Sequence, residues 1–128
     1  MTDALADTSI FVALETGREL DTAALPDSLW ASIITIGELK AGALAADDVR
    51  TRARRWETVE RAIRRAPLPV DEAVADQWAR LRAQLAESDR RMPINDSWIA
   101  ATALAHGMPI VTQDDDYDVV EGLTVIKV

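Results

Sequence analysis

The chain has 128 residues, of which 48% are hydrophobic, enough to form the core of one domain over residues 1–128. The absence of cysteine excludes disulfides and thiolate metal sites, and no long apolar run or basic-then-apolar N-terminus is present, so we expect a cytoplasmic protein without a membrane span. The net charge of -8 disfavours non-specific nucleic-acid binding, but it is compatible with a nuclease whose carboxylates are neutralised by a metal.

The N-terminal segment is predicted to form a strand, an acid and a helix. Residues 5–6 are a short apolar stretch that ends at Asp7. Thr8 and Ser9 can cap the helix that follows, and Gly17 can end it. Asp7 is therefore expected directly beyond the first strand.

A second strand and helix are predicted next. Residues 28–35 are apolar and rich in β-branched side chains, which favours a strand, and residues 36–44 carry a helical apolar pattern. Thr35 would then cap this helix, and Glu38 would complete a capping box three residues later. This pattern places Glu38 in the first turn of the helix.

An arginine-rich helix is predicted from about Asp47 to Arg65, because Pro67 and Pro69 follow it. Its predicted apolar side consists of Val49, Ala53, Trp56 and Ile63. Its basic residues form either a solvated surface or a basic band on an acidic protein; they are Arg50, Arg52, Arg54, Arg55, Arg61, Arg64 and Arg65.

Two further helices and two strands are predicted in the C-terminal half. Asp71 can cap the first helix, whose core face consists of Val74, Trp78, Leu81 and Leu85. Asn95 can cap the second helix, which Gly107 ends and whose core positions are Ile99, Ala100, Ala103 and Leu104. Residues 109–112 and 123–128 are predicted to form strands.

Strands that alternate with helices predict an α/β fold with a mostly parallel central sheet and helices on both faces. Ligands bind such sheets beyond the carboxyl ends of the strands. Asp7 and Asp114 follow two of these strands, and the first helical turns predicted for Glu38 and Asp96 can lie at the same edge. The sequence therefore predicts one carboxylate pocket.

Magnesium, or manganese, is the natural ion for such a pocket. Neighbouring carboxylates raise one another's pKa unless a cation lies between them. Mg²⁺ prefers hard oxygen ligands, so an acid cluster without His or Cys suits it better than zinc.

Each acid also has a purely structural interpretation. Asp7 could be a turn or N-cap residue, Glu38 a capping-box residue and Asp96 a favourable charge at a helix N-terminus. The run from Asp114 to Asp118 could be a solvated loop that blunts an exposed sheet edge. The common location favours a site over four separate structural roles.

The register of the acidic run is left open. Asp114 is the first candidate for the pocket and Asp116 the second, since alternation turns Asp115 the other way. We expect Asp115 and Asp118 to face solvent.

The chain resembles the PIN-domain ribonucleases, specifically the VapC-type toxins of bacterial toxin–antitoxin pairs. The matching segments are "ADTSIF", "ITIGELKAGA" and "INDSWIAATALAHGMPIVTQDDDYDVVEGLTVI", which together with the spacing between them cover almost the whole chain. Two departures are a shorter first strand and Tyr117 where Phe is commoner, and we expect neither to touch a metal ligand.

The resemblance implies a single PIN domain with a three-layer α/β/α fold. It implies metal ligation by Asp7, Glu38, Asp96 and Asp114, with Asp116 as an alternative or additional ligand. Ser9 and Thr112 resemble the hydroxyl positions that support the carboxylates or the attacking water in this family.

The resemblance also implies a function. The expected reaction is hydrolysis of cellular RNA, either transfer or ribosomal RNA, by a water that Mg²⁺ activates. The expected partners are a small VapB-like antitoxin and a second copy of the chain, and the arginine-rich band would contact the RNA backbone.

Two alternatives belong to other classes. A receiver domain has a similar size and a Mg²⁺-binding acid cluster, but it needs an acidic pair after the first strand and a lysine after an inner strand. Here Asp7 stands alone, and Lys127 lies in the final strand. A non-catalytic PIN-like interaction module is the second alternative, and the filled acid positions count against it.

Overall fold

A computed structural model describes residues 2–128. Its four strands form one parallel sheet in the order β2-β1-β3-β4. The strands are β1 (Asp3–Ala6), β2 (Ser28–Trp30), β3 (Ile110–Thr112) and β4 (Val125–Lys127). The helices are α1 (Thr8–Thr16), α2 (Ile33–Leu44), α3 (Val49–Ile63), α4 (Glu72–Glu87) and α5 (Ile94–His106). The predicted α/β class with a parallel sheet is confirmed.

Helices cover both faces of the sheet because the two central strands are buried on both sides. Leu5 of β1 and Ile110 of β3 pack into a core with α4 and α5. Their neighbours Ala6 and Val111 point the opposite way and pack against α1. This alternation has the period of two that a strand imposes, and it produces the predicted three layers.

The beginning of α2 differs from the prediction. The strand stops at Trp30, and Ser32 is the N-cap, with its hydroxyl oxygen accepting from the amide of Ile34 at 3.1 Å. Serine satisfies a free amide at a helix start, and this cap outweighs the strand preference of the β-branched residues that follow. Thr35 therefore lies inside the helix and Glu38 in its second turn, so the capping-box prediction is wrong.

The predicted apolar face of α3 is correct only at Trp56. Val49 is 85% exposed and Ile63 is 43% exposed, whereas Val59 and Ala62 are buried and Trp56 packs beside them. The helix lies on α1 and α2. Packing against α1 and α2 therefore decides which face of α3 is buried. Val49 and Ile63, at the two ends of α3, lie outside that contact.

The predicted face of α4 is confirmed, and it fixes the position of α5. Leu81 and Leu85 are buried, and the rings of Trp78 and Trp98 stack with centroids 4.3 Å apart. The indole nitrogen of Trp78 also donates to the hydroxyl of Ser97 at 2.9 Å. These contacts hold the first turn of α5, which carries the predicted site residue Asp96. No helix within residues 2–128 is both long and apolar enough to cross a membrane.

Candidate active site

Asp7 lies where the sheet connections diverge. The chain passes from β1 to β2 on one side and later to β3 on the other, which creates a crevice at the carboxyl ends of β1 and β3. The amide of Asp7 donates to the carbonyl of Val111 at 3.0 Å, and the Asp7 residue is only 2% exposed. The carboxylate is therefore placed in the crevice by the register of the two central strands.

Two hydroxyl groups hold the Asp7 carboxylate. Ser9 Oγ donates to Oδ1 at 2.5 Å, and Thr112 Oγ1 donates to Oδ2 at 2.9 Å. Each hydroxyl oxygen also accepts from a backbone amide, that of Gln113 or Asp114. Because an amide can only donate, both hydroxyl protons are directed toward Asp7. The structure thus places both predicted supporting residues on this carboxylate.

The cap of α1 differs from the prediction. Asp7, rather than Thr8 or Ser9, is the N-cap residue, and its side chain makes no capping hydrogen bond. Its oxygens instead receive the hydroxyls described above. The interpretation of Asp7 as an ordinary N-cap therefore explains its position but not the direction of its side chain.

The environment of Asp7 favours its protonated form. Burial raises the pKa of Asp7 to about 6, the Ser9 and Thr112 hydroxyls oppose this shift, and the negative charge of Asp114 adds to it. The position of Asp114 close enough to act on Asp7 agrees with its predicted place in the pocket.

Glu38 reaches the same region from α2. Its Oε1 accepts from Thr8 Oγ1 at 2.6 Å, and Thr8 in turn contacts Thr35 Oγ1 at 3.0 Å. Its Oε2 accepts from the side-chain amide Nδ2 of Asn95 at 3.4 Å. The predicted cap role of Asn95 is wrong, since Pro93 is the N-cap of α5 and Asn95 lies in the first turn. The fixed φ of proline suits the end of the extended segment before the helix.

Asp96 and Asp116 form a second pair of neighbouring carboxyl groups. Asp96 lies in the first turn of α5, as predicted, and is half-buried. Burial raises the pKa of Asp96 to about 7, and the adjacent Asp116 carboxyl and the charge of Asp7 add to this rise. The neighbouring carboxyl group therefore favours the protonated form of Asp96.

Tyr117 contacts a predicted ligand, contrary to expectation. The residue is fully buried, and its hydroxyl donates to Asp96 Oδ1 at 3.3 Å. Burial raises the pKa of Tyr117 far above its usual value, and the negative charges of Asp7, Asp96 and Glu38 raise it further. The phenol therefore remains a donor beside three carboxylates.

The acidic run divides into two pairs. The charge of Asp114 acts on Asp7 and the Asp116 carboxyl acts on Asp96, whereas Asp115 and Asp118 each accept from the ammonium of Lys127 at 2.6 Å. Lys127 lowers the pKa of Asp115, whose side chain is 88% exposed. The predicted exposure of Asp115 and Asp118 is confirmed. The lysine that a receiver domain would need is engaged outside the pocket.

The pocket residues that sequence reasoning missed are hydrogen-bond partners of the acids: Thr8, Thr35, Asn95 and Tyr117. Thr8 and Asn95 each stand directly beside a predicted acid in sequence. That adjacency is the available signal, but threonine and asparagine at these positions are also typical helix caps.

The donor set of the pocket fits Mg²⁺. Within residues 2–128, no three Asp, Glu or His side chains are arranged so as to enclose an ion by themselves. Mg²⁺ keeps several waters and is commonly held by one or two carboxylates together with substrate phosphate. The pKa values of Asp7 and Asp96 are raised, and these two carboxyl groups supply oxygen ligands that a cation would hold in the charged form.

A family model described as the PIN domain matches residues 4–123. Ribonuclease VapC5 of Mycobacterium tuberculosis (strain ATCC 25618 / H37Rv) is 46% identical over 122 residues, which are 95% of this chain and 90% of that protein. Ribonuclease VapC4 of the same strain is 46% identical over 126 residues, which are 98% of this chain and 96% of that protein.

Solved structures agree with this similarity. The crystal structure of VapBC-5 from Mycobacterium tuberculosis, a member of the VapBC family of toxin-antitoxin systems, matches with a TM-score of 0.91 and 42% identity over 100% of both chains. DNA-bound VapBC from Salmonella typhimurium matches with a TM-score of 0.84 at 22% identity, over 99% of this chain and 98% of that one, and supports the fold alone.

Proposed function

The chain belongs to the PIN-domain family and, within it, to the VapC ribonucleases, and from this premise we propose that it is a Mg²⁺-dependent ribonuclease toxin. The family membership excludes the receiver-domain alternative. The observation that carries the proposal is the buried Asp7, held by two hydroxyls at the end of β1 beside further carboxylates.

In this proposal each acid has a role. Asp7 and Asp96 would hold the principal cation, and Asp114 and Asp116 would complete the site. When bound, Mg²⁺ supplies a water of lowered pKa and neutralises charge on the scissile phosphate. Glu38, kept in place by Thr8, orients the attacking water and accepts its proton. The hydroxyls of Ser9 and Thr112 keep both Asp7 oxygens in one orientation.

The proposed substrate is cellular RNA, either transfer or ribosomal RNA. The predicted arginine-rich band is only partly available for its backbone. Arg52 and Arg55 donate to the carbonyls of Ala46 and Gly42, and Arg54 contacts Glu15. A second basic surface surrounds a cavity of about 340 Å³ near the start of α5, where Arg82, Arg90 and Arg91 are its charged lining residues. Both surfaces can neutralise phosphates on an otherwise acidic protein.

The proposed protein partner is a cognate VapB-like antitoxin, because the matching structures are those of VapBC proteins. A carboxylate pocket offers a basic side chain of such a partner an electrostatically favourable position. Self-association into a homodimer is part of the same proposal. Co-purification of the chain with the product of the neighbouring reading frame tests the antitoxin assignment.

Cleavage of labelled total RNA by the purified chain tests the enzymatic assignment. We expect Mg²⁺-dependent cleavage by the wild type, and we expect Asp7→Asn and Asp96→Asn to abolish it while the melting transition remains cooperative. Asp115→Asn is the matched control, because Asp115 lies in the same acidic run but contacts Lys127 outside the pocket. Cleavage at the wild-type rate by either pocket variant would contradict the assignment.

A further inference from the structure

A cavity of about 300 Å³ opens directly beside the carboxylate pocket, between α1, α2 and α3. It shares Thr8 and Glu38 with that pocket and continues along α1 past Val12 to Glu15. Thr8, Val12 and Glu15 are spaced four and three residues apart, so they lie on one helix face. A ligand held at the acids can therefore extend into this cavity without crossing another element.

Glu15 lies in this cavity, farther along α1, with unused acceptor capacity. Its side chain is only 8% exposed, and its one polar contact within residues 2–128 is Arg54 Nε at the long distance of 3.5 Å. Buried carboxylates normally receive several hydrogen bonds, and a carboxylate can accept two parallel donors. Glu15 can therefore accept further hydrogen bonds from a ligand in this cavity.

The walls and the rim are suited to a nucleotide. Val12, Leu39 and Gly42 provide apolar surface, and a Cβ added at Gly42 would meet no atom within 4 Å. Arg54 and Arg55 also line the cavity. Apolar walls favour the face of a planar ring. Arg54 contacts Glu15 and Arg55 donates to the carbonyl of Gly42, so neither is free for a phosphate, but their positive charge disfavours a cationic side chain in this cavity.

We propose that this cavity binds a guanine base of the RNA substrate beside the cleaved phosphodiester, with Glu15 accepting from guanine N1–H and N2–H. The inference rests on the proposed ribonuclease function. Guanine alone among the four RNA bases presents two adjacent donors on its Watson–Crick edge, since the other three present an acceptor next to a donor. Glu15 is therefore a specificity-determining residue rather than a catalytic one.

The length of the cavity fits this arrangement. Glu15 follows Thr8 by seven positions, which corresponds to about 10 Å along a helix axis at a rise of about 1.5 Å per residue. The Watson–Crick edge of a purine lies a comparable distance from its own phosphate, across the sugar and both rings of the base. A nucleotide with its phosphate at the acids therefore reaches Glu15 with its base.

Sequencing the ends produced from an RNA pool with randomised positions tests the proposal. We expect the wild type to cut with guanine enriched at one fixed position next to the cleaved bond. Glu15→Gln, which preserves size and the contact with Arg54, should reduce this enrichment about 5- to 100-fold, the range for a lost bidentate base contact. Gly42→Leu should do the same by filling the cavity. Glu57→Gln, an exposed substitution of the same type, should leave the profile unchanged.

The possible outcomes separate the two proposals. Absence of cleavage by a folded wild type would refute both the nuclease and the guanine site. Cleavage without guanine enrichment, or with enrichment that persists in Glu15→Gln and Gly42→Leu, would refute the guanine site and leave the nuclease intact. If those variants kept the cut profile but escaped inhibition by the co-purified antitoxin, the cavity would bind protein instead, and the guanine assignment would be wrong.

Discussion

The two sides of the carboxylate pocket are built differently. Asp7 is buried, and both of its oxygens are held by hydroxyls that are themselves fixed by backbone amides. Asp96 is half-buried, and its hydrogen-bonding neighbours are a tyrosine hydroxyl and another carboxyl group. The scaffold therefore positions Asp7 before any ligand arrives, whereas the Asp96 side depends on a proton or a cation to relieve its repulsion.

Among substitutions that keep all the pocket carboxylates, the removal of a hydroxyl that holds Asp7 should reduce RNA cleavage the most. Thr112→Val deletes the hydroxyl on Asp7 Oδ2 and leaves the Asp114 amide without its acceptor. We expect RNA cleavage to fall about 10- to 100-fold, as is usual when a partner of a metal ligand is removed. Steady-state rates across a Mg²⁺ titration measure the effect, which should include a weaker apparent Mg²⁺ affinity.

Thr102→Val is the matched control for this experiment. Thr102 is equally buried, but its hydroxyl donates to the carbonyl of Trp98 within α5. Its replacement should lower the melting temperature without a comparable loss of cleavage. Equal losses of activity in the two variants would show that general destabilisation, rather than the orientation of Asp7, is responsible.

The raised pKa values of Asp96 and Asp7 should make the free energy of unfolding depend on pH. The pKa values of Asp7 and Asp96 in the folded protein, about 6 and about 7, lie above the ordinary value of 3.8. The folded state therefore binds protons more tightly than the unfolded state, and this stabilisation is complete below about pH 4 and is lost as the pH rises through 6 to 7. Without metal, the protein should be more stable at pH 5 than at pH 8.

Urea denaturation in the presence of EDTA measures this difference. After allowance for solvent screening of the half-exposed Asp96, we expect a loss of about 1–2 kcal/mol between pH 5 and pH 8. Asp96→Asn should remove part of the loss, and so should Mg²⁺ at pH 8. Asp115→Asn should retain it, because Lys127 keeps Asp115 charged at both pH values. A wild-type curve that is flat or rises with pH would contradict the interpretation.

The sequence predicted the residues whose position depends on architecture alone. Asp7 and Asp114 follow strands of a parallel sheet. The exposure of Asp115 was also predicted, but not for the right reason, because the run folds into a 3-10 helix over Asp116–Val119 and does not alternate as a strand. The core face of α4 was equally accessible, because Val74, Leu81 and Leu85 recur at helical spacing. These inferences need only the period of an element and the edge of the sheet.

The errors arose where a local signal competed with a tertiary contact. Thr35 and Asn95 have the chemistry of caps, but Ser32 and Pro93 occupy the cap positions, and both residues instead lie in the network around Glu38. The face of α3 depends on the helices it packs against. The direction of a long side chain such as Tyr117 depends on the core around it, which no short stretch of sequence encodes.

Of these substitutions, Tyr117→Phe should have the smallest effect on RNA cleavage. It tests whether Asp96 is held less firmly than Asp7. The ring remains in the core, and only a hydroxyl at 3.3 Å from Asp96 is lost. A bond of this kind contributes about 0.5–1 kcal/mol, so cleavage should change about two- to fivefold. Because the hydroxyl stabilises the charged form of Asp96, its loss should also raise the pKa of Asp96 and move the acidic limb of the pH–rate profile upward. A loss as large as that of Thr112→Val would mean that Asp96 is held as firmly as Asp7.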